Sequence, residues 1–143
     1  MKLIHKIYGT GQPLIIMHGL FGSGDNWRSI ARMMEPHYQS IVVDMRNHGR
    51  SPHDPEMNFQ VMADDILELM TDLKLEKVSL LGHSMGGKVA MQFSLLYPAL
   101  VEKLIVVDIA PKYYPPHHDV VIEAIESIDP KQLTDRMEAE NAM

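Results

Sequence analysis

Short apolar runs that alternate with helical patterns are the feature that most constrains how this chain folds. The runs occupy residues 3–8, 14–17, 40–43, 77–81 and 103–107. The last four are nearly continuous in apolar character, which is typical of strands buried on both faces of a parallel sheet. Helical spacing of apolar side chains fills the intervals 25–34, 58–73 and 86–96. We therefore predict an α/β fold, with a mostly parallel sheet that is flanked by helices and joined by right-handed crossovers.

Side-chain spacing predicts which faces of the helices are buried. Four apolar residues share one side of the first predicted helix: Trp27, Ile30, Ala31 and Met34. The third predicted helix carries Val89, Ala90, Phe93 and Leu96 in the same way. Asn58 precedes the second helix and can cap it by accepting a hydrogen bond from the backbone.

The character of the chain changes after Pro111. A proline-containing connection, "KYYPPHHD", is followed by helical patterns at 119–128 and 130–143, the second of them quite polar. We assign residues 1–111 to an α/β core and residues 112–143 to the beginning of a helical lid.

Composition narrows the classes of function. The chain has 143 residues, a net charge of −6 and no basic stripe, so nucleic acid is not an expected partner. No apolar stretch approaches the roughly 18 residues of a membrane-spanning helix, and the first residues are too polar for a signal peptide. We therefore expect no membrane partner and a cytoplasmic location. The absence of cysteine excludes disulfides, thiolate metal sites and a cysteine nucleophile.

One serine stands in an unusual setting, the segment "LLGHSMGG" at residues 80–87. Ser84 lies between Gly82 and Gly86, with a predicted strand before it and a predicted helix after it. This Gly-x-Ser-x-Gly pattern predicts a nucleophile elbow, a turn so sharp that a Cβ at either glycine would collide with backbone. The hydroxyl of Ser84 would then stand above the sheet, at the positive end of the helix. The alternative is a glycine-rich turn with an incidental serine.

The segment "HGLFGSGDNW" at 18–27 follows the predicted strand 14–17. Acyl transfer needs hydrogen-bond donors where negative charge develops on the substrate oxygen. We predict that the backbone N–H groups of Phe21 and Met85 supply them as an oxyanion hole. We expect His18 to be a hydrogen-bonded structural residue of the loop, and Trp27 to be a packing residue.

Four motifs carry a resemblance to a known family. They are "HGLFG" at 18–22, "DMRNHGRS" at 44–51, "GHSMGG" at 82–87 and "VDIAP" at 107–111. In order and spacing the chain resembles the N-terminal portion of an α/β-hydrolase, and in particular the bacterial carboxylesterases of the YbfF type. Many relatives have glycine at the position of Asn47, and the asparagine points to this subgroup.

The resemblance implies a catalytic triad in the order serine, acid, histidine. Asp108, at the end of the strand after the elbow, corresponds to the acid of this subgroup; the alternative is a turn or cap residue before Pro111. For Asp44 we favour a structural role in its own loop, together with Arg46 and His48. No metal or organic cofactor is implied.

The catalytic histidine of such enzymes follows the last strand, and no strand pattern follows Val107 in this chain. His117 and His118 are the only histidines after Asp108, and we expect them to be exposed loop residues and not a base or a metal site. His83 is a poor candidate for the base. We therefore expect an incomplete hydrolase core, either truncated or one piece of a split protein, with little or no turnover of its own.

The activity that we expect of the parent enzyme is hydrolysis of carboxylic esters, including acyl thioesters, through an acyl-enzyme on Ser84. Two alternatives remain open. One is a cofactor-free perhydrolase or C–C hydrolase with the same elbow, and the other is a non-catalytic binding or interaction fragment. The strand at 103–107 would be an exposed edge, which predicts self-association or pairing with a complementing C-terminal piece.

Overall fold

The computed structural model describes residues 1–114 and 122–123. Within them, five strands, three α-helices and two short 3₁₀ helices follow one another along the chain. The strands are β1 (His5–Tyr8), β2 (Gln12–Met17), β3 (Tyr38–Val43), β4 (Val78–His83) and β5 (Val101–Val107). The α-helices are α1 (Arg28–Met34), α2 (Phe59–Asp72) and α3 (Met85–Leu96), and the 3₁₀ helices are Gly24–Trp27 and Pro98–Leu100. The predicted α/β fold is confirmed.

The five strands form one mixed sheet in the order β1-β3-β2-β4-β5. Strand β1 runs antiparallel to β3, and every other neighbouring pair is parallel. Met17 of β2 is in register with Val43 of β3 on one side and with Gly82 of β4 on the other. The loops that follow β2, β3 and β4 therefore leave the sheet side by side, at the edge where parallel sheets carry their sites.

The core lies on both faces of the sheet because successive side chains of a strand point in opposite directions. Ile15 and Met17 of β2 belong to the cluster packed under α2 and α3, whereas Leu14 and Ile16 belong to the cluster packed under α1. All four side chains are fully buried. The near-continuous apolar character of β2 is thus explained by burial on both faces.

Element boundaries differ from the sequence prediction in ways that packing explains. The first strand begins at His5 and not at residue 3, because Leu3 is buried outside the ladder of β1. The first predicted helix divides into the 3₁₀ helix Gly24–Trp27 and helix α1. Two predicted core positions were wrong, since Ile30 and Leu96 are 40% and 38% exposed. The cap of α2 is confirmed, because the side chain of Asn58 accepts a hydrogen bond from the Val61 N–H at 2.9 Å.

A buried ion pair fastens the loop after β3 to helix α2. The guanidinium of Arg46 binds both carboxylate oxygens of Asp65, with Nε–Oδ2 at 2.6 Å and Nη2–Oδ1 at 2.9 Å. Both side chains are almost fully buried. The hydrogen bonds that Arg46 donates to Asp65 raise the pKa of Arg46, so its guanidinium stays charged.

Strand β5 is the last strand of the sheet within the described residues. Leu104 and Ile105, which point to opposite faces of the strand, are 40% and 41% exposed. Strands β2, β3 and β4 each contain four or five consecutive buried residues, and β5 has none. Among the described residues, the side chains of β5 are therefore less buried than those of β2, β3 and β4, as expected for an edge strand.

The chain divides into two units, Met1–Pro111 and Lys112–Met143. Of the second unit only residues 112–114 and 122–123 are described, so the lid predicted for 112–143, its helices at 119–128 and 130–143, and His117 and His118 lie outside or largely outside the described part. In the part of the chain that is described, no helix is long and apolar enough to cross a membrane.

Candidate active site

Ser84 occupies the turn between β4 and α3 with an unusual backbone conformation. Its φ is +50° and its ψ is −112°, although it carries a Cβ. The turn allows α3 to start at the next residue, Met85, so that Ser84 stands at the N-terminus of the helix. Its side chain makes no capping hydrogen bond. The Ser84 hydroxyl is therefore not engaged in capping helix α3.

The two glycines of the turn are required by space. A Cβ on Gly82 would lie 2.2 Å from the carbonyl oxygen of Gly86, and a Cβ on Gly86 would lie 2.4 Å from the carbonyl oxygen of Met17. Both contacts are with backbone, which cannot rotate away as a side chain can. The prediction that a Cβ at either glycine would collide with backbone is confirmed.

Backbone hydrogen bonds join the turn to the strands on either side. The Ser84 N–H donates to the carbonyl of Val107 at 3.0 Å, and the Gly86 N–H donates to the carbonyl of His18 at 3.1 Å. The ends of β5 and β2 are thereby held against the turn. Asp108 follows Val107 directly, so the structure brings it to the same edge of the sheet as Ser84.

Left-handed backbone is concentrated among the predicted site residues. Five described residues other than glycine have a positive φ, and three of them are Phe21 at +60°, Ser84 at +50° and Asp108 at +55°. Each such residue costs of order 1–3 kcal/mol and persists only where the surrounding structure imposes it. Strain of this kind is typical of functional sites, and here it coincides with three residues chosen from the sequence alone.

The predicted oxyanion donors are unpaired. Neither the Phe21 N–H nor the Met85 N–H donates a hydrogen bond to any other described residue, whereas the N–H groups of their neighbours Gly22 and Gly86 are both bonded. The loop that carries Phe21 also touches the turn, because a Cβ on Gly19 would lie 3.3 Å from the Cβ of Ser84. Two free N–H donors thus belong to segments that meet at the serine.

His18 is a structural residue, as the sequence indicated. Its Nδ1 donates to the Gly19 carbonyl at 2.7 Å, and its Nε2 accepts from the Met45 N–H at 3.1 Å. This pattern requires the neutral ring. Burial lowers the pKa of His18, and the nearby His48 ring lowers it further, against the opposing effect of the Gly19 carbonyl. With both nitrogens engaged, His18 has no free atom with which to act as a base.

An open recess of about 440 Å³ lies beside the turn. It is lined by residues 18–22 of the loop after β2, by Asn26 and Trp27 of the first 3₁₀ helix and by His83 of β4. Trp27 packs against the core cluster under α1 and also lines this recess, so its predicted packing role is only part of its position. The side chain of Phe21 is 58% exposed at the recess.

The carboxylate of Asp108 faces a histidine that the sequence did not pair with it. The Nε2 of His83 lies 3.7 Å from Oδ2 of Asp108. The ring of His83 also lies 6.0 Å from the ring of Trp27, centroid to centroid. Nothing in the sequence signals this contact, because it depends on β4 and β5 being neighbours. Asp108 itself is 85% exposed.

The loop after β3 is hydrogen-bonded to the end of the loop that carries Phe21. Asp44, which the sequence assigned to a structural role, is 5% exposed and accepts a hydrogen bond from the Gly24 N–H at 2.7 Å. Asn47, with a φ of +64°, exchanges two hydrogen bonds with Asp54 and so closes its own turn.

A mostly parallel sheet with a strained serine turn at the carboxyl end of the interior strand β4, beside a loop with a free N–H donor, defines an α/β-hydrolase scaffold. The chain belongs to the alpha/beta hydrolase fold family, whose sequence profile matches residues 12–139.

Among its relatives, the chain is 52% identical over 101 residues to a putative esterase/lipase of Haemophilus influenzae, covering 71% of this chain and 35% of that protein. It is 39% identical over 131 residues to esterase YbfF of Escherichia coli, covering 91% of this chain and 52% of that protein. A solved structure described as a marine microorganism esterase superposes with a TM-score of 0.94 at 46% identity, covering 99% of this chain and 57% of that one. The chain thus spans about a third to somewhat over half the length of these proteins.

Proposed function

We propose that this chain is the nucleophile-bearing part of a serine-dependent hydrolase of carboxylic esters, acyl thioesters included. The observation that carries the proposal is the pair of unpaired N–H groups, on Phe21 and Met85, in the two segments that meet at Ser84. The Met85 N–H belongs to the first turn of α3, where backbone donors have no partner within the helix, and the Phe21 N–H bonds to no described residue, so both are available to a developing oxyanion beside the strained serine.

In this mechanism the Ser84 Oγ attacks the acyl carbonyl while its proton passes to a histidine base. The carbonyl oxygen becomes the oxyanion, which the N–H groups of Phe21 and Met85 stabilise. The tetrahedral intermediate then expels the alcohol or thiol, which takes the proton from the histidine. Water, deprotonated by the same base, releases the acid and restores the serine. Asp108 orients the histidine and stabilises its charged form.

The base is proposed to be a histidine outside residues 1–143. Two histidines line the recess, and neither suits the role: His18 has both nitrogens engaged, and His83 turns Nε2 toward Asp108. We accordingly propose that the 143-residue chain has little or no turnover on its own. The cytoplasmic location expected from the sequence remains a prediction.

The exposed edge supports a further part of this proposal. Strand β5 leaves Leu104 and Ile105 exposed on both of its faces. Such an edge pairs readily with another chain, and we propose self-association or pairing with a complementing C-terminal piece. Size-exclusion chromatography with light scattering tests this, and a monodisperse monomer that melts cooperatively would contradict it.

Hydrolysis of p-nitrophenyl acetate and butyrate tests the activity. The chain is compared with its Ser84→Ala variant and with a longer chain extended through the natural reading frame. We expect activity in the longer chain that Ser84→Ala abolishes. Activity in the short chain that also needs Ser84 would mean that a base is present after all, and His117 and His118 would be the next residues to replace.

Two rival functions predict different results. A perhydrolase would keep Ser84 reactive but transfer the acyl group to peroxide in preference to water. A C–C hydrolase would keep Ser84 reactive but cleave a vinylogous diketone in preference to simple esters. A non-catalytic binding fragment predicts no ester hydrolysis in either chain. The positive φ of Phe21, Ser84 and Asp108 favours the hydrolase, because backbone strain of this kind is typical of functional sites.

A further inference from the structure

The carboxylate of Asp44 lies where two loops meet, and the mechanism proposed above makes no use of it. Its Oδ1 accepts from the Gly24 N–H at 2.7 Å, and its Oδ2 accepts from the Arg50 N–H at 3.0 Å. The side chain of Arg50 approaches the same oxygen at 3.8 Å. With 5% exposure, this is a buried carboxylate held by directed hydrogen bonds.

Sheet register explains why Asp44 reaches the oxyanion loop. Val43 of β3 pairs with Met17 of β2, so the residues that follow, Asp44 and His18, leave the sheet next to each other. The loop that starts at His18 carries Phe21 and ends at Gly24, where the 3₁₀ helix Gly24–Trp27 begins. The bond to the Gly24 N–H therefore anchors the far end of the oxyanion loop.

The space around the carboxylate is closed. A Cβ on Gly49, which has a φ of +57°, would lie between 2.4 and 2.8 Å from the carboxyl group of Asp44. A Cβ on Gly24 would lie 3.2 Å from its Oδ1. Two backbone segments thus approach the carboxylate as closely as glycine permits, and neither leaves room for a larger side chain.

We propose that Asp44 is a positioning residue of the oxyanion hole. By fixing the Gly24 N–H, its carboxylate holds the loop that carries Phe21 and the start of the 3₁₀ helix that carries Trp27. The inference rests on the proposed function, since Phe21 matters only if an oxyanion forms at Ser84. It goes further by assigning the placement of the loop to one buried side chain on another strand.

Asp44→Asn is the informative variant because it keeps the size of the side chain. The amide has one acceptor oxygen for two N–H donors, so either Gly24 or Arg50 loses its bond. Ser51→Ala is the matched control: the Ser51 hydroxyl donates to the backbone carbonyl of Asp44 at 2.5 Å and accepts from the Ile4 N–H at 2.8 Å, without touching the carboxylate. It weakens the same loop while leaving the bond to Gly24 intact.

Two measurements test the proposal alongside thermal unfolding. The first is amide hydrogen exchange of peptides that cover residues 19–27. The second is the rate at which a fluorophosphonate probe labels the longer chain, extended through the natural reading frame, with its Ser84→Ala variant as the blank. We expect Asp44→Asn to speed exchange in residues 19–27 and to slow labelling about tenfold, because a displaced donor stabilises the oxyanion poorly. Ser51→Ala, at an equal or greater loss of Tm, should label at the wild-type rate.

Each contrary result has a distinct meaning. If Asp44→Asn and Ser51→Ala give the same exchange and the same labelling rate, the positioning role is overturned while the proposed function stands. If the longer wild-type chain labels no faster than its Ser84→Ala variant, the proposed function is overturned, and the catalytic part of this inference falls with it. Faster exchange in Asp44→Asn without slower labelling would also overturn the inference, since the loop would then move without affecting the oxyanion.

Discussion

Replacement of Ser84 by glycine should stabilise the protein even as it removes the proposed nucleophile. Ser84 has a φ of +50° and a ψ of −112°, a conformation that glycine adopts with little steric cost. The serine side chain makes no capping hydrogen bond to α3, so glycine loses no contact there.

The size of the effect follows from two opposing contributions. Relief of backbone strain is worth of order 1–3 kcal/mol, and the greater freedom of glycine in the unfolded chain costs about 0.5–1 kcal/mol. The net gain in the free energy of unfolding is about 1 kcal/mol, which raises Tm by about 4–8 °C in a domain near 100 residues.

Ser84→Ala is the matched control because alanine lacks the hydroxyl but keeps the Cβ that causes the strain. Thermal unfolding followed by circular dichroism at neutral pH compares the three proteins. We expect Ser84→Gly to melt above Ser84→Ala, and Ser84→Ala to melt near the wild type. A glycine variant that melts at or below the alanine variant would refute the argument that the turn is strained.

Three further predictions concern the parts of the fold that hold the site. Gly82→Ala should lower the free energy of unfolding by about 3 kcal/mol or more, measured by urea denaturation, because its Cβ would meet the Gly86 carbonyl oxygen at 2.2 Å; a near-neutral effect would mean that the turn is looser than described. Asp65→Ala should cost about 3–5 kcal/mol, because the buried Arg46 charge then keeps only the Asp54 carboxylate at 4.0 Å, and replacing both Arg46 and Asp65 by apolar residues should recover most of that loss. Because the pKa of His18 is lowered in the folded state, the stability that its neutral ring contributes is present above the unfolded value of about 6.5 and is lost as pH falls below it. Tm should therefore fall between pH 7 and pH 5, and His18→Gln should flatten that fall; an equal slope in the variant would contradict the assignment.

Much of the fold follows from the sequence because its signals are local. The apolar runs of β2, β3 and β4 are buried on both faces, and the glycines around Ser84 indicate a turn in which a side chain would collide with backbone. Asn58 likewise predicts the N-cap of α2 from the local sequence alone. The predicted start of the first strand was less accurate, because Leu3 is buried without belonging to β1. The predicted burial of Ile30 was wrong, because this apolar side chain is exposed.

The finer geometry of the site could not be predicted, because it depends on which strands are neighbours. Asp44 meets Gly24 only because β3 lies beside β2, and His83 meets Asp108 only because β5 lies beside β4. The positive φ of Phe21 has no local signature either, because it is imposed by the surrounding loop.

The central claim is that Ser84 is a reactive nucleophile. The most direct test is to incubate the longer chain, extended through the natural reading frame, with a fluorophosphonate probe, digest it and locate the adduct by peptide mass spectrometry. The proposed mechanism predicts a single adduct on the peptide that contains Ser84, absent from Ser84→Ala. An adduct on another residue, or labelling that is unchanged in Ser84→Ala, would contradict it.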